Sequence, residues 1–326
     1  MAKITVLGSG GWGLALAITL YTNGHEVKVW SPFKEEVEQL STTRTNEKLL
    51  KGIYISEKIQ VTDDISVSDG SDITIIATPS FAVGETAARL KAVKAPGIIV
   101  NVAKGFEKAS FKRLSEVITR ELPDKKIVIL SGPSHAEEVA RGIPTMLAAA
   151  GSDPEALDIV QKVFSNEYLR VYTNPDIIGV ELGGALKNII AVAAGVCDGM
   201  GLGDNSKAAL ITRGLNEMKR LGVALGAKET TFYGLTGMGD LIVTCTSPHS
   251  RNNRFGRKVG EGMPVAQALE EVGTVEGYFA CDIAYRLAAE NSVEVPIIET
   301  CYHLLFDNYP LDDIVTSLMT RPFKQE

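Results

Sequence analysis

Aromatic residues are scarce in this 326-residue chain: Phe, Trp and Tyr make up 6%, with two tryptophans in all. A core built from it must be mostly Ala, Val, Ile and Leu. Cysteine is sparse too. Cys197, Cys245, Cys281 and Cys301 contain no Cys-x-x-Cys pair, which excludes zinc-finger spacing and fits reduced cytosolic thiols. His25, His135, His249 and His303 are equally scattered, so no metal site is expected. Long hydrophobic runs are also missing. The longest, Ile189 to Cys197, is expected to be far too short to span a bilayer. Near the start, Lys3 is followed by Ile4 to Leu7 and then glycines, which is not the pattern of a signal peptide. The expectation is a cytoplasmic protein with no integral membrane association. Positive charge is in deficit: 33 Lys and Arg against 40 Asp and Glu leave a net charge of −7. Such a surface repels nucleic acid, so no nucleic-acid partner is expected. An anionic small molecule would be repelled as well, and needs a local basic site.

Apolar residues at 45% and charged residues at 22% are ordinary for a globular chain, and the length suggests two domains. Residues 1–174 alternate short β-branched runs with helical patterns: Ile4 to Leu7, Glu26 to Trp30, Asp72 to Ala77, Gly97 to Ala103, Lys126 to Leu130, Thr145 to Ala149 and Leu169 to Tyr172 read as strands. Strands alternating with helices indicate βαβ units on a parallel sheet covered on both faces. From 175 to 326 only helical periodicity appears, as in Ile177 to Val196 and Ser206 to Leu225. The fold class is therefore an α/β, doubly wound, Rossmann-like N-terminal domain followed by an all-α C-terminal domain, with the boundary near Asn174-Pro175.

Ile4 to Leu7 run directly into Gly8-Ser9-Gly10-Gly11-Trp12-Gly13 before a helix opens. This is G-x-G-x-x-G in strand–turn–helix context. Gly8 permits the tight turn, Gly10 lets the backbone approach a pyrophosphate, and Gly13 allows helix to pack on strand. The free N–H groups of the helix start favour phosphate. A dinucleotide, NADPH or NADH, is the expected cofactor. The next strand ends in Trp30-Ser31-Pro32-Phe33-Lys34, where an NAD site usually carries Asp or Glu. No acid occurs before Glu35, while Ser31 and Lys34 suit a 2′-phosphate, so acceptance of NADPH is expected.

Other chemistry-bearing residues follow the later strands. Lys104 stands where a cation faces a phosphate or carbonyl oxygen, though a bare lysine is as often a surface residue. Gly132 and Ser134 offer a backbone N–H and a hydroxyl, or form a plain strand-to-helix turn. In the helical half, Gly183-Gly184 lie inside a helix, at about 1 kcal/mol each relative to Ala, which implies close packing or ligand approach. Lys187 and Asn188 then appear among apolar residues. A desolvated lysine can trade protons near neutral pH; a lysine snorkelling out of a buried helix is the alternative. Asp240 sits in a glycine-rich turn and can orient a lysine or cap a helix. Ser250, Arg251 and Asn252 open a local excess of cations suited to an anion, with the Arg251 fork matching a phosphate.

With these residues the sequence resembles the bacterial-type NAD(P)-dependent glycerol-3-phosphate dehydrogenases. The likeness runs through the glycine turn, Lys104-Gly105-Phe106-Glu107, Ser131-Gly132-Pro133-Ser134, Gly183 to Asn188 and Leu241 to Gly256. It implies reversible hydride transfer between NAD(P)H and dihydroxyacetone phosphate, giving sn-glycerol 3-phosphate for phospholipid synthesis. It makes Lys187 the proton acceptor and Lys104, Gly132 and Ser134 substrate contacts. Lys104 would also help hold the reacting oxygen and touch the cofactor, and Asp240 would help position Lys187. Asp240, Ser250, Arg251 and Asn252 become the substrate pocket, with Arg251 also touching the cofactor. Gly11, Trp12, Ala136, Val275 and Glu276 become cofactor contacts. Leu14 and Pro32-Phe33-Lys34 depart from the family pattern, and the second departure bears on cofactor preference. A homodimer is a candidate assembly. Two other readings stay open here: a related two-domain hydroxy-acid dehydrogenase, and a non-catalytic dinucleotide sensor.

Overall fold

β-Branched runs at the start of the chain become strands, and glycine-opened or capped runs between them become helices. The computed structural model describes residues 1–93 and 97–320. β1 (Lys3–Leu7), α1 (Gly11–Thr22), β2 (Glu26–Trp30) and α2 (Lys34–Thr43) come first. A two-stranded antiparallel hairpin of β3 (Thr45–Asn46) and β4 (Leu50–Tyr54), then β5 (Gln60–Thr62), follow. The alternation resumes with β6 (Ile73–Ile76), α3 (Val83–Arg89), β7 (Ile98–Asn101), α4 (Leu114–Glu121) and β8 (Lys126–Ser131). It closes with α5 (Ala136–Val139), β9 (Thr145–Gly151), α6 (Pro154–Phe164) and β10 (Leu169–Asn174).

Eight of these strands form one sheet in the order β10-β9-β8-β7-β6-β1-β2-β5. Side chains alternate between its faces. Ile4 and Val6 of β1, Ile73 and Ile75 of β6, and Ile98 and Val100 of β7 join a core with Leu14, Leu16 and Leu20 of α1 and Leu157, Val160 and Phe164 of α6. Leu7, Ile76 and Ile99 turn the other way, onto Val83 and Ala87 of α3 and Leu114 and Ile118 of α4. The doubly wound arrangement follows from this two-sided burial. From β1 the chain winds out through β2 in one direction and through β6 in the other, so the turns after β1 and β6 flank a topological switch point.

One expectation needs correction. The sheet is not parallel throughout: β8 pairs antiparallel with β9, and β10 then runs parallel to β9. Between β8 and β9 the only helix is the four-residue α5, so no crossover helix carries the chain back along the sheet.

The remaining helices are α7 (Ile177–Gly199), α8 (Gly203–Ala224), α9 (Asp240–Thr246), α10 (Arg251–Gly260), α11 (Val265–Val272), α12 (Glu276–Glu290), α13 (Pro296–Phe306) and α14 (Leu311–Met319). Among the described residues this half has no strand. The chain divides into two compact units, Met1–Glu181 and Leu182–Glu326. The division falls inside α7.

In the second unit, α7 and α10 meet backbone to backbone. A Cβ on Gly195 would overlap Asn253 O, and one on Gly199 would overlap Arg257 O. Reciprocally, a Cβ on Gly256 would overlap Val192 O, and one on Gly260 would overlap Val196 O. Two small-x-x-x-small ridges thus interlock. At 23 residues α7 is long and apolar enough to cross a membrane, contrary to the reading of its longest unbroken run, because mean hydropathy passes over Lys187 and Asn188. Yet 89% of its apolar window is buried inside the protein, as befits a core helix.

The four cysteines lie buried and unbridged on α7, α9, α12 and α13. Burial pushes the Cys245 and Cys301 thiols up to about 12 and raises Cys197 and Cys281 as well.

Candidate active site

In the first unit the glycine turn can be checked position by position. Gly8 has φ +128°, and a Cβ there would stand 2.7 Å from Ala77 O, the residue after β6. It is glycine because both the turn and the neighbouring strand demand it. A Cβ on Gly13 would overlap Gly8 O and lie 3.2 Å from Ala77 Cβ, so helix α1 starts hard against the turn. At Gly10 nothing lies within 4 Å of an added Cβ. That is the open position a pyrophosphate needs, and α1 carries no acid in its first turn to repel it. The residues present fit a dinucleotide. A Cβ on Gly11 would stand 3.6 Å from Ala136 Cβ at the start of α5, and half-buried Trp12 lies on the apolar core. Ala136 is therefore brought to the turn.

The end of β2 differs from expectation. The Ser31 hydroxyl donates to Glu36 Oε2 at 2.8 Å, and the Ser9 hydroxyl of the glycine turn donates to the same oxygen. Ser31 is thus committed to a carboxylate, which a 2′-phosphate would meet as a like charge. Lys34 is exposed and makes no ion pair among the described residues.

Lys104, Gly132 and Ser134 come together. Lys104 Nζ donates to Gly132 O at 3.0 Å, and Ser134 Oγ donates to the same carbonyl at 3.1 Å. Gly132 has φ +140°, and a Cβ there would press on Leu147. The Lys104 loop is fastened three residues on. Arg120 Nη1 and Nη2 fork onto the two oxygens of Glu107 at 2.9 Å each. This fork, with the Ser110 hydroxyl, pulls the Glu107 carboxyl down to about 2. A depressed carboxyl contributes stability above its unfolded value of 4.5, and that stability is lost as pH falls from there towards 2. Glu107→Gln should flatten the acid limb of unfolding in this window. An unchanged slope in denaturation titrations between those pH values would contradict the assignment.

In the second unit a π-helical turn, Leu235–Gly239, runs straight into α9 and sets Asp240 at its first residue. Gly183 of α7 allows this turn close, since a Cβ there would lie 3.0 Å from Thr236 O. One helical turn beyond Gly183, Lys187 Nζ donates to Asp240 Oδ1 at 2.7 Å and to Thr244 Oγ1 at 2.6 Å. The Lys187 and Asp240 side chains are 6% and 2% exposed. Lys187 does not snorkel. Thr244, which donates to Asp240 O at 2.6 Å, escaped sequence reasoning. Its signal was i, i+4 spacing from Asp240, which places both on one helix face.

Asn188, next to Lys187, accepts from Asn252 Nδ2 at 2.9 Å, and Asn252 Oδ1 accepts from Gly277 N at 2.9 Å. Asn252 thus ties the start of α10 to α7 and to the start of α12, where Val275 is the buried N-cap and Glu276 the first residue. Ser250 caps α10, accepting from Asn253 N at 3.2 Å. Asn253 in turn donates to Cys245 O at 3.0 Å and to Asp198 Oδ2 at 3.2 Å. Arg251, first in the helix, is exposed and makes no ion pair among the described residues. Lys187, Asp240, Ser250, Arg251, Asn252, Val275 and Glu276 all belong to this one unit. No group of three or more His, Cys, Asp or Glu suited to a metal occurs among the described residues.

Comparison with known proteins shows the family. The family described as NAD-dependent glycerol-3-phosphate dehydrogenase, N-terminus, matches residues 3–157, and its C-terminus counterpart matches residues 176–316. The chain is 49% identical to glycerol-3-phosphate dehydrogenase [NAD(P)+] of Fusobacterium nucleatum, over 100% of this chain and 99% of that one. It is 51% identical to the protein of the same name from Geobacillus thermodenitrificans, over 100% and 97%. The crystal structure of glycerol-3-phosphate dehydrogenase from Coxiella burnetii superposes with a TM-score of 0.94 at 36% identity, covering 98% of this chain and 99% of that one. The chain belongs to the NAD-dependent glycerol-3-phosphate dehydrogenase family.

Proposed function

We propose that the protein is an NAD(P)-dependent oxidoreductase acting on a CH–OH group, interconverting dihydroxyacetone phosphate and sn-glycerol 3-phosphate, the latter for phospholipid synthesis. The observation that carries it is the Lys187 amine, buried and hydrogen-bonded to Asp240 and Thr244, in a chain matched by the family in both halves. A reduced nicotinamide held by this unit would supply the hydride for the ketone carbon. Lys187 Nζ gives its proton to the ketone oxygen during reduction and takes it from the hydroxyl during oxidation. Asp240 and Thr244 hold that amine in place. Lys104, fixed by Gly132 O, helps hold the reacting oxygen, with Ser134 beside it. Arg251 and Ser250 grip the phosphate. Asn252 acts by tying α10 to α12, since its amide is already engaged by Asn188 and Gly277. Gly8 to Gly13 would hold the dinucleotide, with Trp12, Ser31, Lys34, Ala136, Val275 and Glu276 as its further contacts.

The test is loss of reduced-nicotinamide absorbance on adding dihydroxyacetone phosphate, set against keto acids. A preference of at least ~100-fold in kcat/KM is expected for the phosphate ester, because a site built for one polar group rejects ligands lacking it. A faster keto acid would make this a hydroxy-acid dehydrogenase, and oxidation with none would leave a nucleotide-binding protein. The reading includes a cytoplasmic protein outside the membrane, supported by the burial of α7, with neither nucleic acid nor metal as partner. A homodimer completes it, to be checked by sedimentation velocity.

A further inference from the structure

An acid that reads the adenine-side ribose normally ends the second strand of a dinucleotide-binding unit. Here β2 ends on Trp30 and Ser31 follows, so the strand itself offers none. The structure brings one in from α2. Glu36 Oε2 accepts from the hydroxyls of both Ser31, at the carboxyl end of β2, and Ser9, inside the glycine turn. Both serines are buried, Ser31 completely. The carboxylate is therefore pinned across the two loops that frame the dinucleotide end of the sheet. A carboxylate has about four acceptor positions. Both serines use Oε2, and Oε1 has no protein partner among the described residues.

We infer that Glu36 is the residue that selects the cofactor, accepting from the ribose hydroxyls of NADH and repelling the 2′-phosphate of NADPH. The inference rests on the dehydrogenase reading above and refines its cofactor. A 2′-phosphate brings close to two negative charges and no hydrogen-bond donor that a carboxylate could accept. Lys34 and Glu36 are both exposed, but only Glu36 is held in place, by two buried hydroxyls. Nor can Ser31 turn to a phosphate without giving up Glu36.

The experiment titrates the full chain with NADH and NADPH separately, without ketone, following nicotinamide fluorescence. NADH should bind at least ~10-fold tighter, a ratio within reach of one fixed charge contact. Glu36→Gln keeps the shape and an oxygen for the serines but removes the charge. It should cut the ratio by at least ~5-fold, mostly by tightening NADPH, whereas Glu35→Gln, at the exposed neighbouring acid that touches neither serine, should leave it within about 2-fold. NADPH binding as tightly as NADH to the unaltered protein overturns the inference. So does an unchanged ratio in Glu36→Gln of normal melting temperature. Binding of neither dinucleotide is a different result, and it overturns the dehydrogenase reading itself.

Discussion

Alanine in place of Lys187 is expected to lower kcat by at least ~100-fold, the scale of a positioned general acid or base. The amine combines a transferable proton with near-complete burial and a fixed carboxylate partner. Its removal also takes the cation from Asp240, 2% exposed, and breaking a buried pair costs about 3–5 kcal/mol. A loss of activity alone would therefore be ambiguous. Two further measurements separate chemistry from folding. NADH affinity should stay within about 2-fold, because Lys187 is none of the residues assigned to hold the dinucleotide. A small primary amine added to the Lys187→Ala protein should restore part of the turnover. Near-normal kcat in the variant would remove Lys187 from the mechanism.

Gly256→Ala should destabilise the helical unit heavily for a change of one methyl group. The added Cβ would overlap Val192 O, a backbone atom of α7 that no rotamer change can move. Overpacking a close-packed interior costs about 1–3 kcal/mol when side chains yield, and more when they cannot. A melting temperature lower by about 5–10 °C follows from the usual scaling for domains of this size. The damage should also reach the substrate. α10 opens with Ser250, Arg251 and Asn252, so pushing it off α7 displaces the phosphate grip, and KM for dihydroxyacetone phosphate should rise more than kcat falls. Unaltered melting would mean that α7 and α10 do not meet backbone to backbone.

What the sequence could reveal depended on whether a residue's role lies in its backbone or in its company. The glycine turn was legible because each glycine answers a local constraint, and the structure puts a different obstacle beside Gly8, Gly13 and Gly132. Lys187 stood out as a cation in an apolar helix. Thr244 did not, since a threonine in Leu241-Ile242-Val243-Thr244-Cys245 passes for a neutral residue until Asp240 is seen one turn earlier. Glu36 was missed because the end of β2 was searched for an acid along the strand, whereas the carboxylate arrives from the following helix. Helix α10 was invisible to hydropathy: its buried face includes Asn252, Asn253 and Gly256. The hairpin of β3 and β4 was hidden for the opposite reason, being paired through backbone with only Leu50 among its side chains buried. The reversed β9 lay beyond reach, because strand direction depends on the connection and not on the strand's own residues.

The elevated thiols give the helical unit a built-in reporter. At neutral pH a thiol titrating near 12 is ionised in only about one molecule in 10⁵, and Cys245 is also sealed from solvent. Alkylating reagents should therefore spare the native enzyme and label it only while α9 is transiently open. Because Cys245 sits one residue past Thr244 and its carbonyl anchors Asn253, its rate of modification clocks the breathing of the segment that holds Asp240.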